Sequence, residues 1–345
     1  MSEDDAEDGA GLEPRGTCVL FGHAEAERTL LESYKSGRIP HAWLIGGAPG
    51  IGKATLAYRM ARFVLDHPDP AAPQVQKATS LAVDADGAAA RRIANEAHPG
   101  LLVVKRVINE KTGKLFTEIR VDEVRRSVPF FGSTAGENGW RVAIVDALDE
   151  LNAAGENALL KVLEEPPARS LLLLVSNAPG RVLPTIRSRC RRLLLRPLEA
   201  ADVARAVAAA TGRDADDEEI RQAAVAADGS VARALALLDG KSLALRQRVL
   251  DLFAQLPDPD PRALHALGDA LGGSEPQTLE NFIDLVNGWL TAQLHTGLQE
   301  TKRLSLLAQV SAKVNSAARD AGAYNLERKP LVFAVFGLLS EAARA

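Results

Sequence analysis

Cysteines, aromatic residues and long apolar runs are all scarce in this chain of 345 residues. Its two cysteines, Cys18 and Cys190, are too few for a disulfide framework or a four-thiolate zinc site. Apolar runs such as Leu171 to Val175 are far too short to cross a bilayer. The first residues are acidic and lack the basic-then-apolar order of a signal peptide. We therefore expect a cytoplasmic protein that does not associate with membranes.

The overall composition is that of an ordinary globular protein, with 46% hydrophobic and 25% charged residues. The chain is too long for one compact core, so we expect two or three domains. Its net charge of −4 excludes a protein that binds nucleic acid over its whole surface, although a local basic patch remains open.

Strand and helix patterns alternate from about Phe21 to Pro197. The strand candidates are Ala42–Gly47, Leu101–Lys105, Val142–Asp146, Leu171–Ser176 and Cys190–Leu195, and the helix candidates begin near Lys53 and cover Val121–Val128 and Asn152–Glu165. Such alternation predicts an α/β domain with a mostly parallel sheet that is covered by helices on both faces.

Four segments follow from these patterns. We predict a disordered acidic tail at 1–18, the α/β domain at 19–197, a first helical group at 198–240 and an all-α domain at 241–345. An insertion rich in Pro, Ala and Asp at 67–100 interrupts the α/β pattern, and we expect a loop or short helices on the surface there.

A phosphate-binding loop is predicted from Gly47 to Lys53, which match G-x-x-x-x-G-K through Gly47, Gly52 and Lys53, with Gly50 between them. Backbone amides of such a loop cradle phosphates, and the lysine reaches the terminal ones. The next position normally carries a Ser or Thr hydroxyl that binds Mg²⁺, but Ala54 stands there. Thr55 is a poor substitute because one step along a helix turns a side chain by about 100°.

A second defect follows the predicted acidic strand. Asp146 ends that strand and is a candidate to hold Mg²⁺ through water. ATPases of the AAA+ type usually carry a glutamate at the next position, where this chain has Ala147, and Asp149 and Glu150 on the turn beyond are poor replacements. We therefore expect no ATP hydrolysis from the isolated chain. The loop is either a vestigial turn or a weak site for ATP and Mg²⁺ without turnover, and both interpretations stay open.

Several ordered motifs resemble those of the AAA+ clamp-loader subunits of bacterial DNA polymerase III. They are Leu20–His23, Asn157–Pro167, Ser188–Cys190 and Gly229–Ala234. The resemblance spans roughly 19–238 and implies an AAA+ P-loop domain, a helical lid at 198–240 and an all-α collar domain. It also implies that Arg189 is an arginine finger acting in trans on the ATP of a neighbouring subunit, and that Asn177 and Arg233 match the two sensors of a degenerate nucleotide site.

With alanine at positions 54 and 147, the chain resembles the delta-prime members of this family more than the ATP-hydrolysing gamma/tau members. This resemblance implies a role in DNA replication with gamma/tau and delta subunits, the sliding clamp and, through the assembly, primer-template DNA. It implies no required cofactor. The collar helices would then bury apolar faces such as those of Phe282 and Trp289 against neighbours, although a place in the domain's own core is equally expected.

The family commonly carries a four-cysteine zinc module in the region of the insertion. Residues 67–100 contain no cysteine, and His67 and His98 alone cannot complete a tetrahedral site. We predict that no zinc is bound and that apolar packing holds the module.

Two alternatives remain. An ATP-hydrolysing gamma/tau-type subunit or an independent AAA+ ATPase is disfavoured by Ala54 and Ala147. A stand-alone nucleic-acid-binding module using Arg187 to Arg192 is disfavoured by the negative net charge and the few aromatic residues available for stacking.

Overall fold

The computed structural model describes residues 13–109, 114–116, 118–132, 139–238, 240–272, 276–296, 301–323 and 326–344. The chain forms two compact units, 1–235 and 236–345. This division lies close to the expected boundary at Gly240. The helices that follow Pro197, up to residue 235, belong to the first unit together with the strands, and their separation as a lid stays a prediction.

A five-stranded parallel sheet forms the centre of the first unit, in the order β2-β5-β6-β1-β7. The strands are β1 (Ala42–Gly46), β2 (Leu101–Lys105), β3 (Ile108–Asn109), β4 (Lys114–Leu115), β5 (Arg141–Asp146), β6 (Ser170–Ser176) and β7 (Arg191–Leu194), of which β3 and β4 form a separate antiparallel pair. All residues of β1 and β6 are buried. This pattern suits parallel strands that are covered on both faces, and the predicted parallel sheet is confirmed.

The first unit also contains helices, several of which pack against this sheet. The helices are α1 (Ala24–Lys35), α2 (Lys53–Asp66), α3 (Pro73–Lys77), α4 (Ala88–Ala94), α5 (Val121–Arg125), α6 (Ser127–Gly132), α7 (Ala153–Glu164), α8 (Pro184–Arg187), α9 (Ala200–Thr211), α10 (Glu218–Ala226) and α11 (Val231–Leu237). The helix predicted over Val121–Val128 is divided into α5 and α6, because Pro129 has no N–H to donate to the carbonyl of Arg125. Helix α7 begins after Asn152, whose side chain caps it by accepting from the backbone N–H of Gly155 at 2.9 Å.

Each face of the sheet carries its own apolar core. Trp43, Ile45 and Leu173 pack with α1 and α2 on one face, while Leu44 and Leu172 pack with α5 and α7 on the other. This alternation follows from the strand geometry, in which successive side chains point to opposite faces.

The insertion at 67–100 contributes to the first of these cores. It forms α3 and α4, and its side chains of Val75, Leu81 and Ile93 are fully buried. The short helices were expected, but the insertion does more than lie on the surface, and apolar packing holds it as predicted.

Residues 13–18 are part of the folded first unit. The guanidinium of Arg62, only 1% exposed, donates to the carbonyl of Thr17 at 2.6 and 3.0 Å and to that of Pro14 at 3.3 Å. A buried charge of this kind requires acceptors, and this segment provides them. The predicted disordered tail is therefore wrong for 13–18, and its residues 1–12 lie outside the described part of the chain.

In the described residues of the second unit, all regular secondary structure is helical. The helices are α12 (Gly240–Ala254), α13 (Pro261–Leu271), α14 (Pro276–Thr296), α15 (Thr301–Ala323) and α16 (Arg328–Arg344). Phe282, Leu285 and Leu290 are buried in the core of this unit, with Trp289 packed against it. These side chains thus stabilise the unit itself. Across the described ranges, no helix combines the length and apolar character needed to cross a membrane.

Candidate functional site: a nucleotide cavity and an exposed arginine

The predicted phosphate-binding loop joins β1 to α2. Strand β1 ends at Gly46 and α2 begins at Lys53. Gly50 and Gly52 have φ values of 73° and 95°, a left-handed region that glycine adopts without steric cost. Six residues between strand and helix thereby turn the backbone around the N-terminus of α2, which is the geometry that binds anions.

Gly50 also contacts the first turn of α11. Its carbonyl accepts from the backbone N–H groups of Val231 at 2.9 Å and Ala232 at 3.4 Å. A Cβ atom at Gly50 would lie 2.2 Å from the Oγ of Ser230 and 2.8 Å from the Cβ of Ala232. This close approach requires glycine and joins the loop to the last helix of the first unit.

Lys53 is buried beside the loop, with 4% of its surface exposed. Its Nζ donates to the carbonyl of Ala48 at 2.5 Å. Burial lowers the pKa of Lys53, while the carboxylates of Asp146 and Asp149 act in the opposite direction. The lysine is thus held inside the loop, where a phosphate would offer it a stronger acceptor than a carbonyl.

Asp146 lies at the end of β5 and lines the same cavity as Ala54 and Thr55. Burial raises the pKa of Asp146, and the nearby ammonium groups of Lys53 and Lys105 oppose that rise. Ala147 follows it and is buried. The position next to the acidic strand therefore holds a methyl group where an ATPase needs a carboxylate to orient water.

Asp149 has a role that the sequence did not reveal. Its carboxylate accepts from the Oγ of Ser176 at 2.8 Å, from the backbone N–H of Ala178 at 3.2 Å and from the backbone N–H of Asn177. These bonds fix the turn after β6 on which Asn177 lies. A carboxylate after a strand is too common a feature to have predicted this contact.

Loop, strand ends and helices enclose one cavity of about 560 Å³, within the size range of small-molecule sites. Its lining includes Gly50, Gly52, Lys53, Ala54, Thr55, Asp146 and Asn177, together with apolar side chains such as Phe21, Leu198, Ala206, Ala210 and Leu235. The predicted nucleotide-site residues on the loop and strand ends thus lie together, apart from Gly47, which is in the loop but outside this lining. The apolar part suits a flat, weakly polar group such as a nucleobase.

His23 supports the loop from the N-terminal side. Its Nε2 lies 2.7 Å from the carbonyl oxygen of Ile51, which requires the proton on Nε2. Burial lowers the pKa of His23, and this hydrogen bond opposes the change. The neutral imidazole therefore donates to the loop backbone.

Arg233 does not line the cavity, although Val231 and Ala232 on the same helix do. Its Nη1 instead donates to Asp228 at 3.0 Å. The second predicted sensor, Arg233, thus forms an ion pair with a residue five positions before it and does not contact the cavity.

Arg189 also lies outside the cavity and is about one-third exposed. It follows α8, and its guanidinium donates from Nη1 to the carbonyl of Thr185 and from Nη2 to Oε1 of Glu164, each at 2.9 Å. The neighbouring Cys190 is half-buried, and burial raises the pKa of its thiol to about 12. The structure therefore separates Arg189 from the cavity of its own chain and leaves it accessible to another molecule.

In the parts of the chain that the structure describes, no group of three or more His, Cys, Asp or Glu side chains is arranged to hold a metal ion. The absence of bound zinc remains a prediction.

Comparison with known proteins places residues 22–199 in the family described as DNA polymerase III, delta subunit. A delta' subunit of DNA polymerase III from Pseudomonas aeruginosa is 37% identical over 150 residues, covering 44% of this chain and 41% of that protein. The delta' subunit from Escherichia coli is 33% identical over 168 residues, covering 49% of this chain and 46% of that protein.

A gamma/tau subunit of DNA polymerase III from Mycobacterium tuberculosis is 31% identical over 181 residues, covering 51% of this chain and 28% of that protein. The chain thus spans about half or less of the length of each of these relatives. A gamma-subunit-related protein from Thermotoga maritima has a TM-score of 0.47 at 16% identity, covering 91% of this chain and all of that one.

Proposed function

We propose, for a chain that belongs to the family described as DNA polymerase III, delta subunit, the role of a delta-prime-type subunit of a clamp loader. In this role the chain is a stator in an AAA+ assembly and donates Arg189 to the ATP site of a neighbouring subunit. The observation that carries the proposal is the accessible guanidinium of Arg189 on a chain whose own loop has Ala54 and whose acidic strand is followed by Ala147.

The cavity of the chain itself does not suit hydrolysis. Ala54 provides no hydroxyl for Mg²⁺, and Ala147 provides no carboxylate for water. The two nearby acids are already engaged, since Asp149 accepts three hydrogen bonds at the end of β6 and Glu150 pairs with Arg106 at 2.8 Å. Neither carboxylate is free to replace the missing glutamate.

The same cavity suits a nucleotide that is bound but not turned over. Backbone amides at the start of α2 and the ammonium of Lys53 would hold its phosphates, and the apolar lining would hold its base. Asp146 alone would have to hold a magnesium ion through water, so any binding of ATP with Mg²⁺ is weak. No zinc and no other cofactor is required.

Arg189 supplies chemistry that suits a site in trans. A guanidinium is always charged and offers donors in a fixed fork, which match the charge that develops on a transferring phosphoryl group. A finger supplied by a second molecule is worth roughly 10³ or more in rate in well-studied cases.

The proposed partners are the gamma/tau and delta subunits of DNA polymerase III, then the sliding clamp and, through the assembly, primer-template DNA. The relatives named delta' and gamma/tau support a complex with other subunits of DNA polymerase III, and the clamp and the DNA follow from the proposed role. The proposed setting is DNA replication in the cytoplasm, as a part of the polymerase III holoenzyme.

The test reconstitutes the chain with gamma/tau and delta partners and measures DNA- and clamp-stimulated ATP hydrolysis in single-turnover experiments. We expect Arg189→Ala to reduce the amplitude of the fast phase of ATP hydrolysis by the contribution of one ATP site, while the complex stays assembled. We expect the isolated chain to show no ATP turnover. An Arg189→Ala complex with an unchanged fast phase would contradict the proposal that Arg189 acts on a neighbouring ATP site. Turnover by the isolated chain would instead favour the gamma/tau-type ATPase, to which the match with the Mycobacterium tuberculosis protein also points.

A further inference from the structure

The guanidinium of Arg189 is held between the ends of two helices. Glu164, the last residue of α7, accepts from Nη2, and Thr185 of α8 accepts from Nη1 through its carbonyl oxygen, both at 2.9 Å. Each contact uses one nitrogen of the guanidinium. Because arginine carries five N–H donors, several remain for another anion.

The ion pair with Glu164 contributes little to stability. The side chains of Glu164 and Arg189 are 51% and 36% exposed, and pairs exposed to this degree are weak because water screens them. A carboxylate at the C-terminal end of α7 is also disfavoured by the partial negative charge of the helix end. The pair is therefore better explained by the orientation that it gives to the guanidinium than by the stability that it adds.

We propose that Glu164 is a positioning residue, which orients the guanidinium of Arg189 before it meets the phosphates in the neighbouring subunit. This inference rests on the proposed function. A long arginine side chain loses much rotamer freedom when it is fixed, and Glu164 and Thr185 impose part of that loss in advance. Once the interface excludes water, the charge of Glu164 also acts on the guanidinium through a lower dielectric.

Glu165 provides a matched control. It is the adjacent acid, it is exposed, and it makes no ion pair within the described residues. Removing its carboxylate changes the net charge of the chain as much as removing that of Glu164, without touching Arg189.

The experiment uses the reconstituted complex and measures the fast phase of single-turnover ATP hydrolysis as a function of ATP concentration. We expect Glu164→Ala to lower the rate constant of the Arg189-dependent phase about fivefold, with the ATP concentration at half-maximal rate unchanged. Glu164→Gln should lower it less, because its amide oxygen still accepts from Nη2, and Glu165→Ala should leave it unchanged.

A double-mutant cycle separates positioning from a general effect on α7. In a chain that already carries Arg189→Ala, Glu164→Ala should cause no further loss, because the group that it positions is absent. A further loss there, or equal effects of Glu164→Ala and Glu165→Ala in the wild-type background, would overturn the inference while the finger stands. An Arg189→Ala change without effect would overturn the proposed function itself, and the inference with it.

Discussion

The loop at the start of α2 and the segment around Arg189 each contain some of the groups that ATP binding and hydrolysis require, and they contain different ones. In the loop, the backbone turn, the two left-handed glycines and Lys53 are present, whereas the side chains that act on metal and water are replaced by Ala54 and Ala147. Around Arg189, the charged side chain is present and accessible, but it lies outside the cavity of its own chain.

This difference indicates which parts of a nucleotide site are needed for structure. The loop is joined to α11 through the carbonyl of Gly50, so its backbone shape supports the packing of the first unit whether or not a nucleotide binds. A hydroxyl at position 54 would bind Mg²⁺ and a carboxylate at position 147 would orient water, and neither would serve the fold. They can be lost without a cost to the fold, and they are the groups that are absent.

The largest effect that would sharpen this comparison is expected from Lys53→Met. The change removes the charged donor but keeps the length of the buried side chain. We expect the affinity for ADP, measured by calorimetry, to fall on the order of thirtyfold, because charge-assisted hydrogen bonds to phosphate are lost. Lys161→Met, at an exposed lysine of α7, is the matched control and should have no effect. If the wild-type chain does not bind ADP, the loop is only a turn, and if both variants bind ADP equally well, Lys53 does not contact its phosphates.

A smaller effect, on the stability of the fold, is expected from replacing one glycine in the loop and one glycine in the segment before Arg189. Gly50→Ala places a Cβ 2.2 Å from the Oγ of Ser230 at a φ of 73° and should destabilise the first unit by about 2 kcal/mol. Gly180→Ala, before α8, meets open space and should change stability by less than about 0.5 kcal/mol. Urea denaturation followed by circular dichroism measures both, and equal losses would contradict the packing role of Gly50.

The smallest effect concerns the pH dependence of stability. Burial lowers the pKa of His23 below its ordinary value of 6.5. The unfolded chain therefore binds the proton more readily than the folded one, and stability is lost as pH falls through 6.5 towards the lower folded pKa. His23→Gln should flatten this part of the curve between pH 7.5 and 5.5, measured by thermal unfolding.

His98 is the control for that slope, because burial also lowers the pKa of its imidazole but it lies outside the cavity. His98→Gln should flatten the curve independently, and the two effects should add. A curve unchanged by His23→Gln would show that burial does not hold the imidazole neutral in the folded chain.

Much of the first unit was predictable because its signals are local. The strands at 42–46, 101–105 and 170–176 are short apolar runs, and their limits were predicted to within one residue. The helix predicted at 121–128 was not expected to be divided or to continue to Gly132, because the prediction ended before Pro129. The ordered segment 13–18 was missed because its acceptors serve Arg62, a residue more than 40 positions away.

Local spacing was sufficient for the phosphate-binding loop and for the two missing catalytic side chains, whereas Arg189 as a candidate finger was implied by the resemblance to a known family. The loop and the two alanines depend on a few consecutive residues, whose backbone requirements and chemistry can be read directly. Tertiary contacts were needed for the rest: Asp149 fixes the turn of Asn177, Gly50 meets α11, and Glu164 holds Arg189. These pairs are 25 or more positions apart, and only the folding of the sheet brings such residues within hydrogen-bonding distance.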